Sequence, residues 1–469
     1  MTTFHLPLDR SAGVPLHRQI REGIRQAILA GALRPGQRLP STRALAAELA
    51  VSRLPVLAAY EQLRHECYVE GRTGAGTYVS QSLPEDLLCS RPAAGVAPRW
   101  PQARDAGGLG PFRMSLPALD RFPHAAWARL VARHARDLAP AHMAYGDPAG
   151  LPALRLAIAE HLRAARGMRC EAEQVLVVSG SQAALRLAAA VLLAPGDGVA
   201  VEEPGYPGAR AALTANGAVP LPVPVDAEGI DVAALQAHGG RVRAAYVTPA
   251  HQYPLGMSMT AARRLALLDW AARSDAWVLE DDYDSEYRYV SRPLGALQGM
   301  DAHDRVVYVG TFSKVLFPAL RIGYLVVPPA LLDAFVRARL AFDLFPPTLY
   351  QSALAEFLRE GHFARHLRRM RGVYQGRRDA LLAALARHCG DRLRVHNADA
   401  GLHVAALLAE GLDEARVMER MRERGLTATA LSGCYVGPAR RDGLLLGFGG
   451  SDEGRLREAA RVLGELLRA

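Results

Sequence analysis

Leu16, Ile20, Ile24 and Ile28 recur at helical spacing, and Gly31 follows as a stop signal. The next stretch, "LPSTRALAAELAVSRLPVLAAYEQLRHECYV", carries Leu45, Leu49 and Val51 at apolar positions and a serine at each of two helix starts, Ser41 and Ser52. It predicts two more helices joined by a turn at Ala50 and Val51, the second reaching about Arg64. "YVEGRTGAGTYVS" reads as strand, glycine-rich turn, strand. Residues 81–111 are rich in Pro, Gly and Ala without a sustained period, which predicts an extended linker. From about 112 onward, apolar runs such as "QVLVVS", "GVAVEE", "RAAYVTPA", "AWVLEDD" and "RVVYVG" alternate with helical stretches. That rhythm predicts an α/β domain with a mostly parallel, buried sheet. The expected division is 1–80, 81–111 and 112–469. The last has a large part at about 140–330 and a smaller α+β part from about 112–139 and 331–469.

Bulk properties narrow the function classes. A chain of 469 residues exceeds one ordinary core. No uncharged apolar run reaches the roughly 18 residues of a membrane span. The start, "MTTFHLPLDRSAGVP", lacks the pattern of a secretory signal. Cys67, Cys89, Cys170, Cys389 and Cys434 are far apart, which points to reduced thiols in a cytoplasm and to no metal or disulfide framework. The net charge of +9 permits nucleic-acid binding without requiring it. Among 56 basic residues there is a single lysine, Lys314, within "GTFSKVLFPALRIGY". Arginine cannot replace lysine where an amine must lose its proton or form a Schiff base.

Two helices with a tight turn suit a helix-turn-helix, whose second helix enters the major groove by its N-terminal end. Ser52 and Arg53 stand at that end, and Pro55 falls in a first turn that tolerates it. The hairpin forms a wing, with Arg72 and the turn glycines Gly74 and Gly76 able to approach phosphates. "LPSTRALAAELAVSRLPV" closely resembles the hallmark of the GntR regulators, over roughly residues 12–80. The resemblance implies a DNA-binding winged helix and adds Arg43 to the contact candidates. Ala50 and Cys67 stand where that family usually has glycine, and Pro55 where it has threonine.

The surroundings of Lys314 supply what a pyridoxal phosphate needs: an anion seat, a partner for the ring nitrogen, a surface for the ring and a donor for the phenolic oxygen. Gly180, Ser181 and Gln182 open a helix after a strand, a ready anion seat. Tyr206 sits in a Pro/Gly turn where it can stack on a flat ring. His251 and Gln252 are polar groups in a further strand-end loop. Asp281, with Asp282 as the alternative, ends a buried strand and suits a protonated ring nitrogen, and Tyr283 suits the phenolic oxygen. Thr311 and Ser313 offer hydroxyls to the phosphate, Lys314 the amine, and Arg321 a phosphate clamp. All lie at expected carboxyl ends of strands, where open α/β sheets bind ligands.

This order resembles the fold-type I aminotransferases of class I/II over about residues 112–469. "TFSK" followed by "RIG" stands for their signature, with Thr311 in place of the usual serine. "AYGDPAGLPALRLAIAEHL" is similar to another family segment, which implies that Tyr145 serves the phosphate of a partner subunit. A GntR winged helix joined to such a domain is the architecture of the MocR-type regulators. "TPAHQYPLG", "EDDYDSEYRY" and "GHFARHLRRMRGVYQGRRDALLAAL" resemble that subfamily's own segments. The resemblance implies a head-to-tail homodimer with pyridoxal phosphate held as an internal aldimine on Lys314, bound to promoter DNA at paired half-sites. Its effector would be the cofactor itself or an amine or amino acid. The alternatives are an active aminotransferase with a DNA-binding appendage, or a DNA-bridging protein with a vestigial domain. Leu445, in "LLLGFGG", stands where aminotransferases place the arginine for a substrate α-carboxylate, with Arg440 or Arg441 as substitutes. That departure favours an effector without an α-carboxylate, of which pyridoxal phosphate is the simplest.

Overall fold

The computed structural model describes residues 6–10, 12–72, 74–83, 108–138, 140–290 and 295–468. The chain divides into two compact units, residues 1–104 and 105–469. Most of the expected linker, 84–107, lies outside the described residues. Its far end belongs to the second unit, because Pro111 O accepts from Thr427 N and Oγ1 at 3.1 and 2.9 Å.

The first unit holds α1 (Leu16–Leu29), α2 (Thr42–Glu48), α3 (Arg53–His65) and a hairpin of β1 (Val69–Arg72) and β2 (Gly76–Val79). Ile20, Ile24 and Ile28 turn inward together with Leu45, Val56, Leu63, Val69 and Val79. Ser41 caps α2 by accepting from Ala44 N at 3.2 Å. Ser52 occupies the N-cap of α3 but makes no such bond.

Both α2 and α3 end in the same reversal. Val51 N reaches Ala46 O at 3.0 Å, and Tyr68 N reaches Leu63 O at 2.9 Å. The residue before each carries a positive φ, 50° at Ala50 and 61° at Cys67. These are two of the positions where the sequence departs from glycine. A left-handed residue with a Cβ costs about 1–2 kcal/mol, and glycine returns part of that as unfolded-state entropy. Ala50→Gly and Cys67→Gly are therefore expected to stabilise this unit by about 0.5–1 kcal/mol each in urea unfolding of the full chain. A loss of stability would contradict the assignment of strain.

The second unit is built on an eight-stranded sheet. Its strands are β3 (Val175–Val178), β4 (Gly198–Glu203), β5 (Val219–Asp226), β6 (Gly229–Ile230), β7 (Val242–Val247), β8 (Trp277–Asp282), β9 (Val306–Thr311) and β10 (Gly323–Val326). Their order is β3-β10-β9-β8-β7-β4-β5-β6. The run from β9 through β8, β7 and β4 to β5 is parallel. β10 is antiparallel to both neighbours, so β3 points the same way as β9. The central strands are buried along almost their whole length, which is why they read as unbroken apolar runs.

A second sheet of four antiparallel strands contains β11 (Leu393–His396), β12 (His403–Leu408), β13 (Thr429–Ala430) and β14 (Gly443–Gly447). Helix Leu332–Phe342 contributes Phe335 to the core of the large sheet. That residue lies just beyond the boundary expected at about 331. Among the described residues no helix is long and apolar enough to cross a membrane.

Candidate functional site

Because β3, β4, β7, β8 and β9 share a direction, their carboxyl ends meet along one edge of the sheet. A cavity of about 180 Å³ lies there, and Ser181, Gln182, Tyr206, Asp281, Tyr283, Thr311, Ser313, Lys314 and Arg321 line it. Nine of the residues singled out from sequence thus converge on one space. Lys314 is half-buried, and its Nζ donates to Ser115 O at 3.3 Å. Burial lowers its pKa to about 8, against the opposing pull of the Asp284 and Asp281 carboxylates.

The pleat of β8 separates its acids. Asp281 faces the cavity, where its Oδ2 accepts from Tyr246 OH at 2.7 Å. Its Oδ1 is buried without a hydrogen-bond partner, and burial pushes its pKa up to about 7. Glu280 and Asp282 point to the other face. Glu280 accepts from Leu297 N and Gln298 N at 2.7 and 2.9 Å. Asp282 accepts from Arg166 Nη2 at 2.5 Å and Tyr308 OH at 2.7 Å. Burial alone would raise the Asp282 pKa, but the Arg166 charge and the surrounding hydrogen-bond donors together outweigh it and hold the carboxyl below its ordinary value. Asp282, the sequence alternative to Asp281, is therefore a structural ion-pair partner.

The anion seat forms where helix Ser181–Leu192 begins. Gly180 has φ 89°, and a Cβ there would meet the Arg321 guanidinium at 2.9 Å. Arg321 is itself left-handed, at φ 51°, and donates from Nη2 to Ser179 O at 2.7 Å. The guanidinium, the first N–H groups of the helix, and the Thr311 and Ser313 hydroxyls therefore gather on one side of the cavity. Tyr206 lies on another wall, with Gln182 Nε2 at 3.4 Å from its hydroxyl.

Four of the expected residues do not line the cavity: Gly180, which backs the anion seat, and Gln252, His251 and Tyr145. Gln252 ties two strand-end loops together: its Nε2 donates to Pro204 O in the loop after β4 and to Tyr253 O in its own loop, at 2.9 and 2.6 Å, and its Oε1 accepts from Leu255 N at 3.0 Å. It braces these loops from outside the cavity. His251 stands behind the wall, with Nδ1 at 2.9 Å from Asp284 Oδ1 and 3.0 Å from Tyr283 OH. Gly401 makes room for it, since a Cβ there would approach His251 Cε1 at 2.1 Å. Tyr145 is 85% exposed and takes no part in the cavity of its own chain.

The cavity also holds residues that sequence reading passed over: Ser115, Tyr246, Tyr253, Asp284, Pro318, Leu402 and His403. Tyr246 reads as an ordinary strand residue, and Ser115, Leu402 and His403 come from segments remote from every motif. Burial lowers the His403 pKa to about 4, with His251 and Lys314 adding to the shift, so its imidazole is neutral at pH 7. Leu445 is fully buried in an apolar cluster with Leu255, Met257, Leu431 and Tyr435. Arg440 and Arg441 line a different cleft, beside Glu203 and Asp226. Among the described residues, Arg321 is the only arginine on the Lys314 cavity.

In the first unit, Arg43, Ser52 and Arg53 are exposed around the N-terminal end of α3. Arg53 Nε donates to Thr42 Oγ1 at 3.1 Å. Gly74 and Gly76 have φ 74° and 113° and shape the hairpin turn. Arg72 is held by Glu70 at 2.8 Å and lies over the Tyr78 ring at 4.6 Å. Arg38, which no motif marked, lies against Gly76, where a Cβ would meet its Nε at 3.2 Å.

Fold and cavity together define an aminotransferase-type domain, preceded by a winged helix. Residues 120–463 match the family "aminotransferase class I and II", and residues 16–79 match "bacterial regulatory proteins, gntR family". The chain is 41% identical over 98% of its length, and 95% of the relative's, to the probable rhizopine catabolism regulatory protein MocR of Rhizobium meliloti. It is 37% identical to the HTH-type pyridoxine biosynthesis transcriptional regulator PdxR of Corynebacterium glutamicum, over 94% of this chain and 93% of that one. The α-aminoadipate aminotransferase LysN from Thermus thermophilus, solved with N-(5'-phosphopyridoxyl)-L-leucine, superposes with a TM-score of 0.71. That comparison has 32% identity and covers 76% of this chain and 91% of the other. The chain belongs to the MocR-type family of transcriptional regulators, in which a gntR-family DNA-binding unit precedes an aminotransferase class I and II domain.

Proposed function

We propose that this regulator holds pyridoxal phosphate on Lys314 and that occupancy of the cavity changes its affinity for promoter DNA. The observation that carries the cofactor reading is the buried Asp281 Oδ1, left without a partner at the end of β8. A protonated ring nitrogen supplies the hydrogen bond and the charge that this carboxylate lacks. The Ser181 helix start, Thr311, Ser313 and Arg321 would hold the phosphate. Tyr206 would lie against the ring, and the Tyr283 hydroxyl would serve the phenolic oxygen. When bound, the cofactor supplies an aldehyde that condenses with amines. Lys314 meets it as a partly neutral amine, because burial has already lowered its pKa.

Control of DNA binding needs an occupant that distinguishes two states of the protein. Lys314 and Asp281 stand on the large sheet, while Leu402 and His403 belong to the smaller-sheet side. One occupant thus touches both parts and can bias their closure. The buried, apolar position of Leu445 and the separate cleft of Arg440 and Arg441 support sensing over steady transamination. They favour pyridoxal phosphate itself, or an amine without an α-carboxylate, as the effector. The exposed Tyr145 supports a homodimer in which it serves the partner's phosphate.

The pH dependence of cofactor capture tests the assignment of Lys314. A lowered pKa of about 8 leaves about a tenth of the amine neutral at pH 7, against about one part in 3,000 for an ordinary lysine. Capture, trapped with borohydride and counted by mass spectrometry, should rise about tenfold per unit below pH 8 and level off above it. The Lys314→Ala chain corrects for capture at any other amine, since Lys314 is the single lysine in the sequence. A rise continuing to pH 10 would show an ordinary surface lysine.

A further inference from the structure

The groove-facing side of α3 is poor in hydrogen-bonding groups. Val56, Ala59, Tyr60 and Leu63 face the core of the unit. The positions turned away from that core begin with Leu54 and continue through Leu57 and Ala58 before Glu61. Leu54 is 75% exposed, directly after Arg53 in the first turn. Pro55, which follows it, offers neither a polar side chain nor an N–H. From Arg53 to Ala58, only Arg53 carries a side chain that can hydrogen-bond a base edge. The N-terminal turn of such a helix is the part that reaches into the major groove. A single exposed leucine elsewhere on a surface is unremarkable, but here it occupies the reading position.

We propose that Leu54 is a specificity-determining residue that reads the 5-methyl group of a thymine in each half-site. In the major groove the four base pairs differ in their donors and acceptors and in the thymine methyl, and only the methyl is read by apolar contact. An outward face of leucine, leucine and alanine selects on that feature. Arg53, held to Thr42 by its Nε, stands beside it for a neighbouring base edge or phosphate. The inference rests on the reading of the first unit as a DNA-binding module.

The test uses the full chain and a duplex selected by it from a random-sequence pool. Each thymine of the selected site is replaced in turn by deoxyuridine, which removes the methyl alone, and affinity is measured at fixed salt. At one thymine per half-site the native chain should bind about fourfold more weakly, the effect of exposing one methyl-sized group. The Leu54→Ala chain should bind thymine and deoxyuridine duplexes equally at that position. Selective binding without a methyl-sensitive thymine, or with the same sensitivity after Leu54→Ala, overturns the inference alone. Failure to select any sequence overturns the DNA-binding reading as well.

Discussion

Lys314→Ala protein mixed with pyridoxal phosphate is expected to develop no protein-bound visible absorbance and to yield no pyridoxyl-modified peptide at position 314 after borohydride. Apparent affinity for the cofactor should fall by about two orders of magnitude or more, because covalent attachment is lost and only the phosphate and ring contacts remain. Lys314→Arg, the change that this arginine-rich sequence would otherwise favour, should fail in the same way. A guanidinium keeps the charge but does not surrender a proton to become a nucleophile. Either variant retaining the band would place the amine elsewhere. The fold should tolerate both, since Lys314 makes one long hydrogen bond, to Ser115 O at 3.3 Å.

Arg166→Met should cost far more stability than any change on the cavity wall. Arg166 and Asp282 are each 3% exposed and lie 2.5 Å apart on the far face of β8 from the cavity. Removing one partner leaves a buried carboxylate with the Tyr308 hydroxyl as its main remaining support. Breaking such a pair costs about 3–5 kcal/mol. Urea unfolding of the full chain should show this loss at pH 7. It should also show partial recovery on acidification, because the folded-state pKa of Asp282 rises above its unfolded value once Arg166 is gone and protonation then favours folding. Adding Asp282→Asn should recover much of the loss. A cost below about 1 kcal/mol would mean that the pair is solvated.

The cavity was legible where its residues lie next to strand ends, and obscure where tertiary distance supplies them. Lys314, Arg321, Thr311 and Ser313 surround one turn after β9, so a single motif carries them. The choice between Asp281 and Asp282 is decided by the strand pleat, which places adjacent acids on opposite faces. Gln252 stands off the cavity because its amide is committed to backbone groups, two in its own loop and Pro204 O in the loop after β4. Ser115 and His403 left no local signal: one follows the linker, the other opens a strand of the small sheet, and only the folded chain brings them to Lys314. The winged helix was readable almost residue by residue from helical periodicity, while the two-residue strands β6 and β13 carried no pattern to read.

The coupling between cavity and DNA is tested most directly by measuring duplex affinity of the full chain with and without saturating pyridoxal phosphate, at one salt concentration, beside Lys314→Ala. Differential binding of an effector by two states usually amounts to about 1–3 kcal/mol, a 5- to 150-fold change in affinity. The native chain should show a change of that size and Lys314→Ala none. Equal affinity of the native chain in both conditions, with the cofactor demonstrably on Lys314, would contradict the claim that this cavity governs DNA binding.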